Sequence, residues 1–557
     1  MRLTSVRIIT ATSCLLFGAA AWRLGPHASF DVSAQAQTVQ PAAGAPAQVA
    51  QLHQTSVTSA KPAIPEPKLS GTEIYTAQRG EAIPTVARRY LGRTSYLTSS
   101  ELSDAIRAAN HKSDSSNILK AKEQIIIPGI LASPIAEKTI PVAKDFEVRA
   151  IYLTGIMAAS DHGLRIIKHW REVGGNSVVF DIKDSDGSVT IPFEHPLLGK
   201  HQVYIHDVPK FVHFVHQQNM HAIARIAIFR DERLVVEHPE LAVQSRKNKQ
   251  AWRENGKLVW TDPSNPKVQD YDIALAKYVA GLGVDEIQFD YVRFPAEGDQ
   301  KDAAFVYQNG QADVAQAEAQ AAPAAVSNDS TCAVAVPKHH KTKGATETSQ
   351  TALVQKGPCP VAAKAAPRGP QRSDVITAFL KKAYAELHPT GVLLSLDVFG
   401  VMAWQRQVDL AHTGQDIVGM AHYCDVLSPM IYPSHFFGMD NIQHPGDEPA
   451  HFIGESMDRF ELITKGSGVV IRPWLQAFHW RTKTYSPEYI KIQVETAKAK
   501  GGIGFLFWNA ANDYSKPYAA MPEMKSSDQK AGKDKAKYFR GDELPATIAQ
   551  AALTPAQ

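Results

Sequence analysis

The chain has 557 residues, of which 44% are hydrophobic, 21% charged and 8% aromatic. This composition is typical of a globular protein and excludes a wholly disordered or fibrous chain. Lysines and arginines number 59 against 56 aspartates and glutamates, and a net charge of +3 argues against a dedicated nucleic-acid binder. Four cysteines exclude a disulfide-built scaffold and a multi-cysteine zinc array. The length allows about three domains, or one large barrel with a smaller module.

The amino terminus has the pattern of an export signal. Arg2 and Arg7 flank the start of an uncharged stretch that runs to Trp22, and Ala34-Gln35-Ala36 offers a small-residue cleavage site. About 15 apolar residues are fewer than the roughly 20 that a membrane span needs. We therefore predict that residues 1–36 are a signal peptide and that the mature protein works in the periplasm or outside the cell. The alternative is an uncleaved segment that anchors the protein in the inner membrane.

Three segments are too poor in large apolar residues to build a core. Residues 37–71 are rich in Ala, Pro, Gln, Thr and Ser, which predicts a disordered linker. Residues 297–371 have a similar composition and predict a low-complexity insertion within a folded domain, where Cys332 and Cys359 are close enough in sequence to pair after export. Residues 522–557 predict a disordered tail. Cys424, by contrast, lies in an apolar run and is predicted to be a buried thiol.

Residues 72–130 have the pattern of a small module. A strand, two helices and a closing strand fit the apolar spacing. Gly80 marks the first turn, Asn110 precedes the second, and Ile127-Pro128 closes the pattern. The segment resembles the lysin motif (LysM), a glycan-binding module, and the resemblance implies a ligand that contains N-acetylglucosamine, such as peptidoglycan. Glu81-Ala82-Ile83 and a long middle segment depart from the motif and leave open a spacer that no longer binds sugar.

Residues 147–521 predict eight strand–helix units. Alternating strands and helices predict a parallel sheet, and eight units that close on themselves predict a (β/α)8 barrel of the TIM type. The predicted strands are 149–154, 177–183, 222–229, 286–294, 392–398, 425–434, 469–476 and 503–509. The predicted helices are 161–173, 208–219, 271–282, 374–387, 413–423, 455–464 and 487–499.

Apolar and polar side chains alternate along several of these strands. In the fourth strand, Ile287 and Phe289 oppose Gln288 and Asp290. Successive strand residues point to opposite sides of a sheet, so the apolar set should face the helices and the polar set the barrel axis. Polar residues gather at the carboxyl ends of the strands, where barrel enzymes have their active sites. We therefore expect a site at the barrel mouth.

Carboxylates and aromatic rings dominate this predicted site, a combination that suits carbohydrate chemistry. Cleavage of a glycosidic bond needs two carboxyl groups. We predict Asp290 as the nucleophile or essential carboxylate, Arg225 as its cationic partner, and Asp397 on the next strand as the acid/base. Adjacent strand ends favour the short carboxyl separation of about 5–5.5 Å that retaining enzymes have. The alternative acids are Asp181, Asp184 and Asp231.

Further side chains at the mouth are predicted to bind substrate. They are Asp181, Lys183, Asp184, Arg225, Arg293, Tyr432, Arg472, Trp474, Gln476, Trp508 and Asn509. The sequence has no H-E-x-x-H zinc spacing, no glycine-rich phosphate loop and no G-x-S-x-G elbow. It therefore predicts neither a metal nor another cofactor.

Four segments resemble a bacterial family of glycoside-hydrolase-like barrels whose substrates are largely unassigned. They are Arg149–Gly155, Phe180–Asp184, Phe289–Pro295 and Ser428–Pro433. The resemblance covers 147–521 apart from the insertion, and it implies a hydrolase of glycosidic bonds. The family is distantly similar to amylase-like barrels, which have a nucleophilic aspartate at the end of strand four, where Asp290 lies. Those barrels have a glutamate acid after strand five, where this chain has Asp397.

These patterns together predict an exported, LysM-tethered glycoside hydrolase that acts on a cell-envelope or extracellular polysaccharide. No nucleic-acid partner is expected, and membrane contact is expected only if the first segment stays uncleaved. The alternative from another class is a catalytically silent glycan-binding protein of the envelope. A deacetylase or lyase is disfavoured because the sequence shows no metal triad.

Overall fold

The computed structural model describes residues 69–113, 117–309, 331–333, 356–358 and 369–531. The predicted signal peptide, most of the predicted linker and insertion, Cys359 and the end of the predicted tail lie outside the described residues. Within the described ranges, no helix is both long enough and apolar enough to cross a bilayer.

Residues 69–131 form a small module of two strands and two helices. Its elements are β1 (Leu69–Thr76), α1 (Ile83–Tyr90), α2 (Ser99–Ala109) and β2 (Gln124–Leu131). The two strands pair antiparallel, and a separate apolar core lies between the strands and the helices. Thr98 caps α2 by accepting from the backbone N–H of Glu101, whose carboxylate accepts in return from the N–H of Thr98. The element order is the predicted one, and its lysin-motif character stays a prediction.

Residues 148–508 provide eight parallel strands that close into a barrel, the seventh of them split into two short pieces. The strands are β3 (Val148–Leu153), β4 (Ser177–Lys183), β5 (His221–Ala227), β6 (Glu286–Asp290), β7 (Leu393–Phe399), β8 (Val426–Ile431), β9 (Val470–Ile471), β10 (Trp474–Gln476) and β11 (Gly504–Trp508). β11 pairs with β3 and β7 pairs with both β6 and β8, so the ring is complete. The predicted (β/α)8 fold is confirmed.

Helices surround the barrel and return the chain from one strand to the next. They are α3 (Gly155–Ala158), α4 (Asp161–Val173), α5 (Val208–Gln217), α6 (Glu232–Glu237), α7 (Pro266–Ala280), α8 (Arg372–Leu387), α9 (Gln407–Thr413), α10 (Ile417–Met420), α11 (Pro449–Ile463), α12 (Pro487–Ala499) and α13 (Ser515–Ala531). Asp207 and Ser486 cap α5 and α12, each accepting from a backbone N–H of the first turn.

Two boundaries of the barrel domain differ from the predicted ones. Helix α13 continues into the predicted tail because Met521 and Met524 are buried in the main core. The first part of the predicted insertion is also structured, since Ala303–Ala304 pairs with Gln244–Ser245 and the Phe305 ring packs 4.9 Å from the ring of Phe294. Residues up to 309 therefore belong to the loops of the barrel.

The predicted alternation of side chains is confirmed. Ile287 and Phe289 lie in the main core between strands and helices, whereas Gln288 and Asp290 point into the barrel and meet side chains from other strands. A separate apolar cluster fills the barrel interior, made of Val148, Ala150, Tyr152, Val179, Ile223, Tyr432, Trp474 and Leu506. Cys424 is buried, as predicted.

The segment between the module and the barrel is fixed to the amino-terminal end of the barrel. Glu137 lies 2.6 Å from His213 Nδ1 and 2.9 Å from His216 Nδ1, and Asp285 Oδ2 lies 2.9 Å from His216 Nε2. Both ring nitrogens of His216 contact carboxylate oxygens, and two such contacts favour the imidazolium form, in which both nitrogens donate. Burial opposes this charge, but Asp285 and Glu137 outweigh it and raise the pKa of His216.

The module contacts the outer wall of the barrel on the side of α4 and α5. Lys210, in the first turn of α5, donates from Nζ to the backbone oxygens of Leu91 at 2.9 Å and Tyr96 at 3.3 Å. The Thr98 hydroxyl donates to Asp161, the first residue of α4. Helices of a (β/α)8 barrel begin at the carboxyl ends of the strands, so the module contacts the wall on the side of the barrel mouth.

We expect Glu137→Gln to destabilise the protein strongly because it removes a buried carboxylate from two histidines. Loss of one partner of a buried ion pair costs about 3–5 kcal/mol. Urea unfolding at pH 6 should show a fall of this order in the free energy of unfolding. The matched control is Glu172→Gln, which breaks an exposed pair with His169 at 3.3 Å and should cost less than about 1 kcal/mol. Equal losses for the two variants would contradict the expectation.

The same cluster predicts a pH dependence of stability. The pKa of His216 is raised above 6.5, so its contribution is full below pH 6.5 and is lost as the pH rises through the raised value. The free energy of unfolding of the wild type should therefore fall from pH 6 towards alkaline pH more steeply than that of Glu137→Gln. If the free energy of unfolding changes with pH in the same way in both proteins, Glu137 does not stabilise the positive charge of His216.

Candidate active site

One guanidinium lies at the centre of the polar cluster inside the barrel. Arg225 of β5 donates from Nη1 to Asp181 Oδ1 at 2.5 Å and from Nη2 to Asp290 Oδ2 at 2.6 Å. A further bond runs from its Nε to Asp290 Oδ2 at 3.2 Å. The backbone N–H of Tyr291 donates to the other oxygen, Asp290 Oδ1, at 2.6 Å. The carboxylate of Asp290 is therefore held from both sides, and Arg225 is its predicted partner.

Aromatic rings enclose this guanidinium on the side of the first and eighth strands. Tyr152 and Trp508 stack with centroids 4.1 Å apart, and the Arg225 guanidinium carbon lies 5.6 Å and 5.3 Å from their centroids. The Tyr152 hydroxyl donates to Asp181, which is wholly buried. Burial raises the pKa of Asp181 to about 7, although the charge of Arg225 opposes this shift. Trp508 keeps part of its surface exposed at the mouth.

Asp397 of β7 lies beside Asp290 but has a different environment. The register pairs Leu396 with Phe289, so the next residues, Asp397 and Asp290, are at the same level on neighbouring strands. Asp397 Oδ1 accepts from Gln288 Nε2 at 2.7 Å and from the indole N–H of Trp474 at 2.6 Å. Both donors are neutral, whereas the hydrogen bonds of Arg225 go to the other two carboxylates. Among the described residues, the cation that pairs with Asp290 forms no salt bridge with Asp397.

The charges in the cluster favour a proton on Asp397. Burial first, and then the charge of Asp290, raise the pKa of Asp397 well above its usual range, against the opposing effects of Arg225, Trp474 and Gln288. In a protonated carboxyl group one oxygen carries the proton and the other accepts. Since Asp397 Oδ1 already accepts two hydrogen bonds, the proton belongs on Oδ2.

The geometry makes the two predicted catalytic residues neighbours. Asp290 is 6% exposed and Asp397 is 1% exposed, so Asp290 is the more accessible of the two carboxyl groups. Tyr432 of the sixth unit is also buried in the interior cluster, and burial is the main cause that raises its pKa. The two adjacent carboxyl groups therefore differ in environment: Asp290 is paired with a cation, and the pKa of Asp397 is raised.

The structure places Lys183 outside the barrel interior, although its position in the sequence predicts an inward side chain. A bulge between Asp181 and Lys183 shifts the register, so that Lys183 pairs with Ile226 of the outward-facing set. Its ammonium contacts Asp231 at 2.8 Å and Asp272 at 2.7 Å, with the side chain fully buried. This ion pair fixes the wall and gives Lys183 no contact with the mouth.

Arg472 lies deep in the barrel rather than at the rim. Its Nη1 donates to both oxygens of Glu286 at 2.9 Å, and His221 Nε2 lies 3.1 Å from the same carboxylate. Burial is outweighed by the charge of Arg472 and the hydrogen bond from His221, and the pKa of Glu286 falls to about 2. Glu286 precedes Asp290 by four residues on one strand, which places the ion pair about 13 Å below the candidate carboxylates. Arg472 therefore stabilises the bottom of the barrel.

Two further predicted substrate ligands hold loops in place. Gln476 accepts from the backbone N–H of Ser434 at 3.2 Å and donates to the backbone oxygen of Phe478 at 3.0 Å, so it joins the loops that follow β8 and β10. Asn509 donates to the backbone oxygens of Ala477 and Asp513 at 2.6 Å and 2.8 Å. These amides position the rim through the backbone of the loops.

The remaining predicted residues occupy different depths at the mouth. The Arg293 guanidinium is buried between rings, 4.5 Å from the centroid of Trp260 and 4.4 Å from that of Phe399. Asp184 is partly exposed next to the cluster and accepts from the N–H of Ser185. Of the alternative acids, Asp231 is bound to Lys183 and Asp181 to Arg225, which leaves Asp184 as the accessible one.

Sequence reasoning missed three contributors to the site. Tyr152 and Gln288 alternate correctly along their strands but were not selected, and their hydrogen bonds hold Asp181 and Asp397. Tyr291 has a left-handed φ of 55°, which turns its N–H back onto the carboxylate of the preceding residue. Such strain in a residue with a side chain is common at active sites. In the described parts of the chain, no cluster of His, Cys, Asp or Glu has the arrangement of a metal site.

Residues 150–514 match the model of the family described as "Putative glycosyl hydrolase domain". The match spans more than half of the chain, and the chain belongs to this family. No curated protein matches it.

Similar solved structures come from several bacteria. A hypothetical protein from Ruminiclostridium thermocellum ATCC 27405 is 29% identical, with 44% of this chain and 97% of that chain covered and a TM-score of 0.31. The glycoside hydrolase domain of PgaB (BpsB) from Bordetella bronchiseptica is 12% identical, with coverage of 68% and 98% and a TM-score of 0.46. A β-galactosidase from the psychrophilic Marinomonas ef1 is 12% identical, with coverage of 69% and 60% and a TM-score of 0.45.

We expect Arg225→Met to destabilise the protein because it leaves two buried carboxylates without their cation. The free energy of unfolding at pH 7.5 should fall by about 3–5 kcal/mol in urea titrations. Adding Asp181→Asn should recover part of the loss, since it removes one of the unpaired charges. Arg233→Met, which breaks an exposed pair with Asp186, is the control and should cost less than about 1 kcal/mol. A neutral Arg225→Met would show that the cluster does not depend on this cation.

Proposed function

We propose that this member of the glycosyl hydrolase family cleaves a polysaccharide with Asp290 as nucleophile and Asp397 as general acid/base. The supporting observation is the contrast between two adjacent carboxyl groups. Asp290 accepts hydrogen bonds from a guanidinium and a backbone N–H. Asp397 is buried and accepts from neutral donors, and its pKa is raised. An ionised carboxylate beside a protonated one provides the two roles that the reaction needs.

In this mechanism, Asp290 attacks the anomeric carbon while Asp397 gives its proton to the departing glycosidic oxygen. The carbon–oxygen bond breaks and a glycosyl ester forms on Asp290. Asp397, now a carboxylate, then takes a proton from water, whose oxygen attacks the same carbon and releases the sugar and Asp290. Arg225 holds Asp290 in place throughout. Because the carbon is displaced twice, the anomeric configuration is retained.

We further propose that the protein is exported and acts on a cell-envelope or extracellular polysaccharide. The signal-like sequence of residues 1–36 and the LysM-like pattern of residues 72–130 support this assignment. A glycan-binding module attached to a hydrolase raises the effective concentration of the enzyme on its polymer. The hydrogen bonds of Lys210 to the module hold this module against the barrel wall.

A catalytically silent glycan-binding protein is the second candidate. The burial of Asp397 favours it, because only 1% of this residue is exposed and a sugar must displace its neighbours to reach it. Both candidates bind glycan, so only turnover separates them. The purified protein should be incubated with peptidoglycan and a panel of polysaccharides, and new reducing ends should be measured. Binding without new reducing ends would identify the silent protein.

Asp290→Asn should abolish turnover, since an amide cannot form the glycosyl ester. Asp397→Asn should lower the rate by about 10²–10⁴-fold, as expected for loss of general acid/base catalysis. Release of reducing ends from the substrate identified in the panel provides the measurement, and circular dichroism verifies folding. The control Asp458→Asn removes an exposed carboxylate that pairs with Lys500 on the outer helices and should keep full activity. Full activity in Asp290→Asn would exclude the proposed nucleophile.

The raised pKa of Asp397 sets the alkaline limb of the pH–rate profile. The acid must be protonated, so kcat/KM should be high below this pKa and fall as the pH rises through it. Trp474→Phe removes an N–H donor that favours the ionised form, which should raise the pKa further and move the limb to higher pH. The profile should be measured over pH 4–10. If the alkaline limb of Trp474→Phe lies at the same pH as that of the wild type, the general acid is another residue.

A further inference from the structure

Five rings form a continuous line from the candidate carboxylates to the surface. This aromatic track consists of Tyr432, Phe478, His435, Trp480 and Phe437. The centroid distances are 5.6 Å for Tyr432 and Phe478, 5.5 Å for Tyr432 and His435, 4.7 Å for His435 and Trp480, and 5.9 Å for Trp480 and Phe437. All lie within the range of direct ring contacts. Tyr432 is buried in the interior cluster that also contains Trp474, the hydrogen-bond partner of Asp397, and the other four rings are partly exposed.

The track is built from two loops that are held rigidly together. The carboxamide of Gln476 accepts from the N–H of Ser434 and donates to the backbone oxygens of Phe478 and Trp480, at 3.0 Å and 3.4 Å. A third loop packs against them at Gly446, where an added Cβ would lie 2.2 Å from the backbone oxygen of Arg481. These contacts hold the backbones of the ring-bearing loops together, and a preorganised site binds its ligand at a lower entropy cost.

Arg481 completes the outer end of the track. Its guanidinium carbon lies 4.1 Å from the centroid of Phe437 and 4.5 Å from that of Trp480. The residue adopts a left-handed φ of 47°, so the loop accepts local strain at this position. The guanidinium lies over both rings, so the outer end of the track combines N–H donors suited to sugar hydroxyls with the remaining apolar ring surface, which suits sugar C–H groups. His435, whose pKa burial and Arg481 lower to about 4, is an uncharged ring at neutral pH.

We propose that the aromatic track is a binding subsite for further sugar units of the polysaccharide. Trp480 and Arg481 would contact a sugar unit that is not one of the two joined by the cleaved bond. The inference rests on the proposed function, because the track begins at its carboxylates. The inner end of the track meets the site where the bond breaks, and the outer end meets solvent, so the ligand is an extended glycan rather than a single sugar. The enzyme therefore gains affinity from several units of the chain.

The test separates glycan binding from turnover by using the Asp290→Asn protein as the parent. Native gels that contain glycol chitin, xylan, galactomannan or laminarin measure retardation by each polymer. At least one polymer should retard the parent, and adding Trp480→Ala should weaken its apparent affinity about tenfold, which corresponds to about 1.4 kcal/mol. Trp480→Phe keeps a ring and should retain most of the affinity. Phe214→Ala removes a partly buried ring beneath Lys168 on the outer helices and is the matched control.

The outcomes distinguish failure of this inference from failure of the proposed function. Weaker retardation of Trp480→Ala, with Phe214→Ala unchanged, supports the subsite even if the wild type shows no turnover. Equal retardation of the parent and Trp480→Ala, or no retardation by any polymer, overturns it. If the wild type is active, Trp480→Ala should raise KM for the polymer with kcat unchanged and leave hydrolysis of a nitrophenyl monosaccharide unaffected. A fall in both activities would make Trp480 a structural residue.

Discussion

The pairing of Arg225 with Asp181 and Asp290 is the interaction on which the candidate site depends. A carboxylate inside a barrel loses its hydration, and an unpaired one would cost several kcal/mol. One guanidinium with several N–H donors compensates two such groups at once, and the rings of Tyr152 and Trp508 lie beside it. The carboxyl end of the barrel can therefore hold more acidic groups than an apolar interior would allow.

The same pairing creates the difference between the two candidate catalytic residues. Arg225 directs its hydrogen bonds to Asp181 and Asp290, and Asp397 receives neutral donors from Trp474 and Gln288. With Asp290 already charged, ionisation of Asp397 would place two negative charges on adjacent strands. Burial and this repulsion together raise the pKa of Asp397. One cation thus distinguishes two neighbouring carboxyl groups, since Asp290 accepts from Arg225 whereas Asp397 accepts from the neutral donors Gln288 and Trp474.

Features that depend on local periodicity could be predicted from the sequence. The alternation along β6 has a period of two residues, so the inward direction of Asp290 follows from its neighbours alone. Eight repeats of strand and helix fix the barrel and bring the carboxyl ends of the strands together. Asp290, Asp397 and Arg225 lie inside the barrel on neighbouring strands, as the alternation predicts, while their catalytic roles stay a prediction. The family match agrees with the resemblance of the barrel domain.

Some features depend on a break in the strand alternation or on contacts between residues far apart in the sequence, and these could not be predicted. The bulge that turns Lys183 outward leaves no mark in the residue pattern, and the depth of Arg472 depends on its partner Glu286, 186 residues away. Glu137 contacts His213 and His216 only because the segment that follows the module lies against helix α5 of the barrel. The aromatic track joins two loops through Gln476, and no spacing within either loop indicates that their rings meet.

The position of the module on the barrel bears on the proposed function, in which the protein binds and cleaves a polysaccharide. Lys210 and Asp161 lie in the first turns of helices of the first two units, and these turns are at the carboxyl ends of the strands. The aromatic track lies on the sixth and seventh units, at the same end of the barrel. A chain that contacted both would have to cross the mouth, towards whose axis Asp290 and Asp397 point. A module fixed to the opposite end of the barrel would direct a bound chain away from the carboxylates, so the docking of the module on this side fits the proposed function, in which the module binds the polymer that the site cleaves.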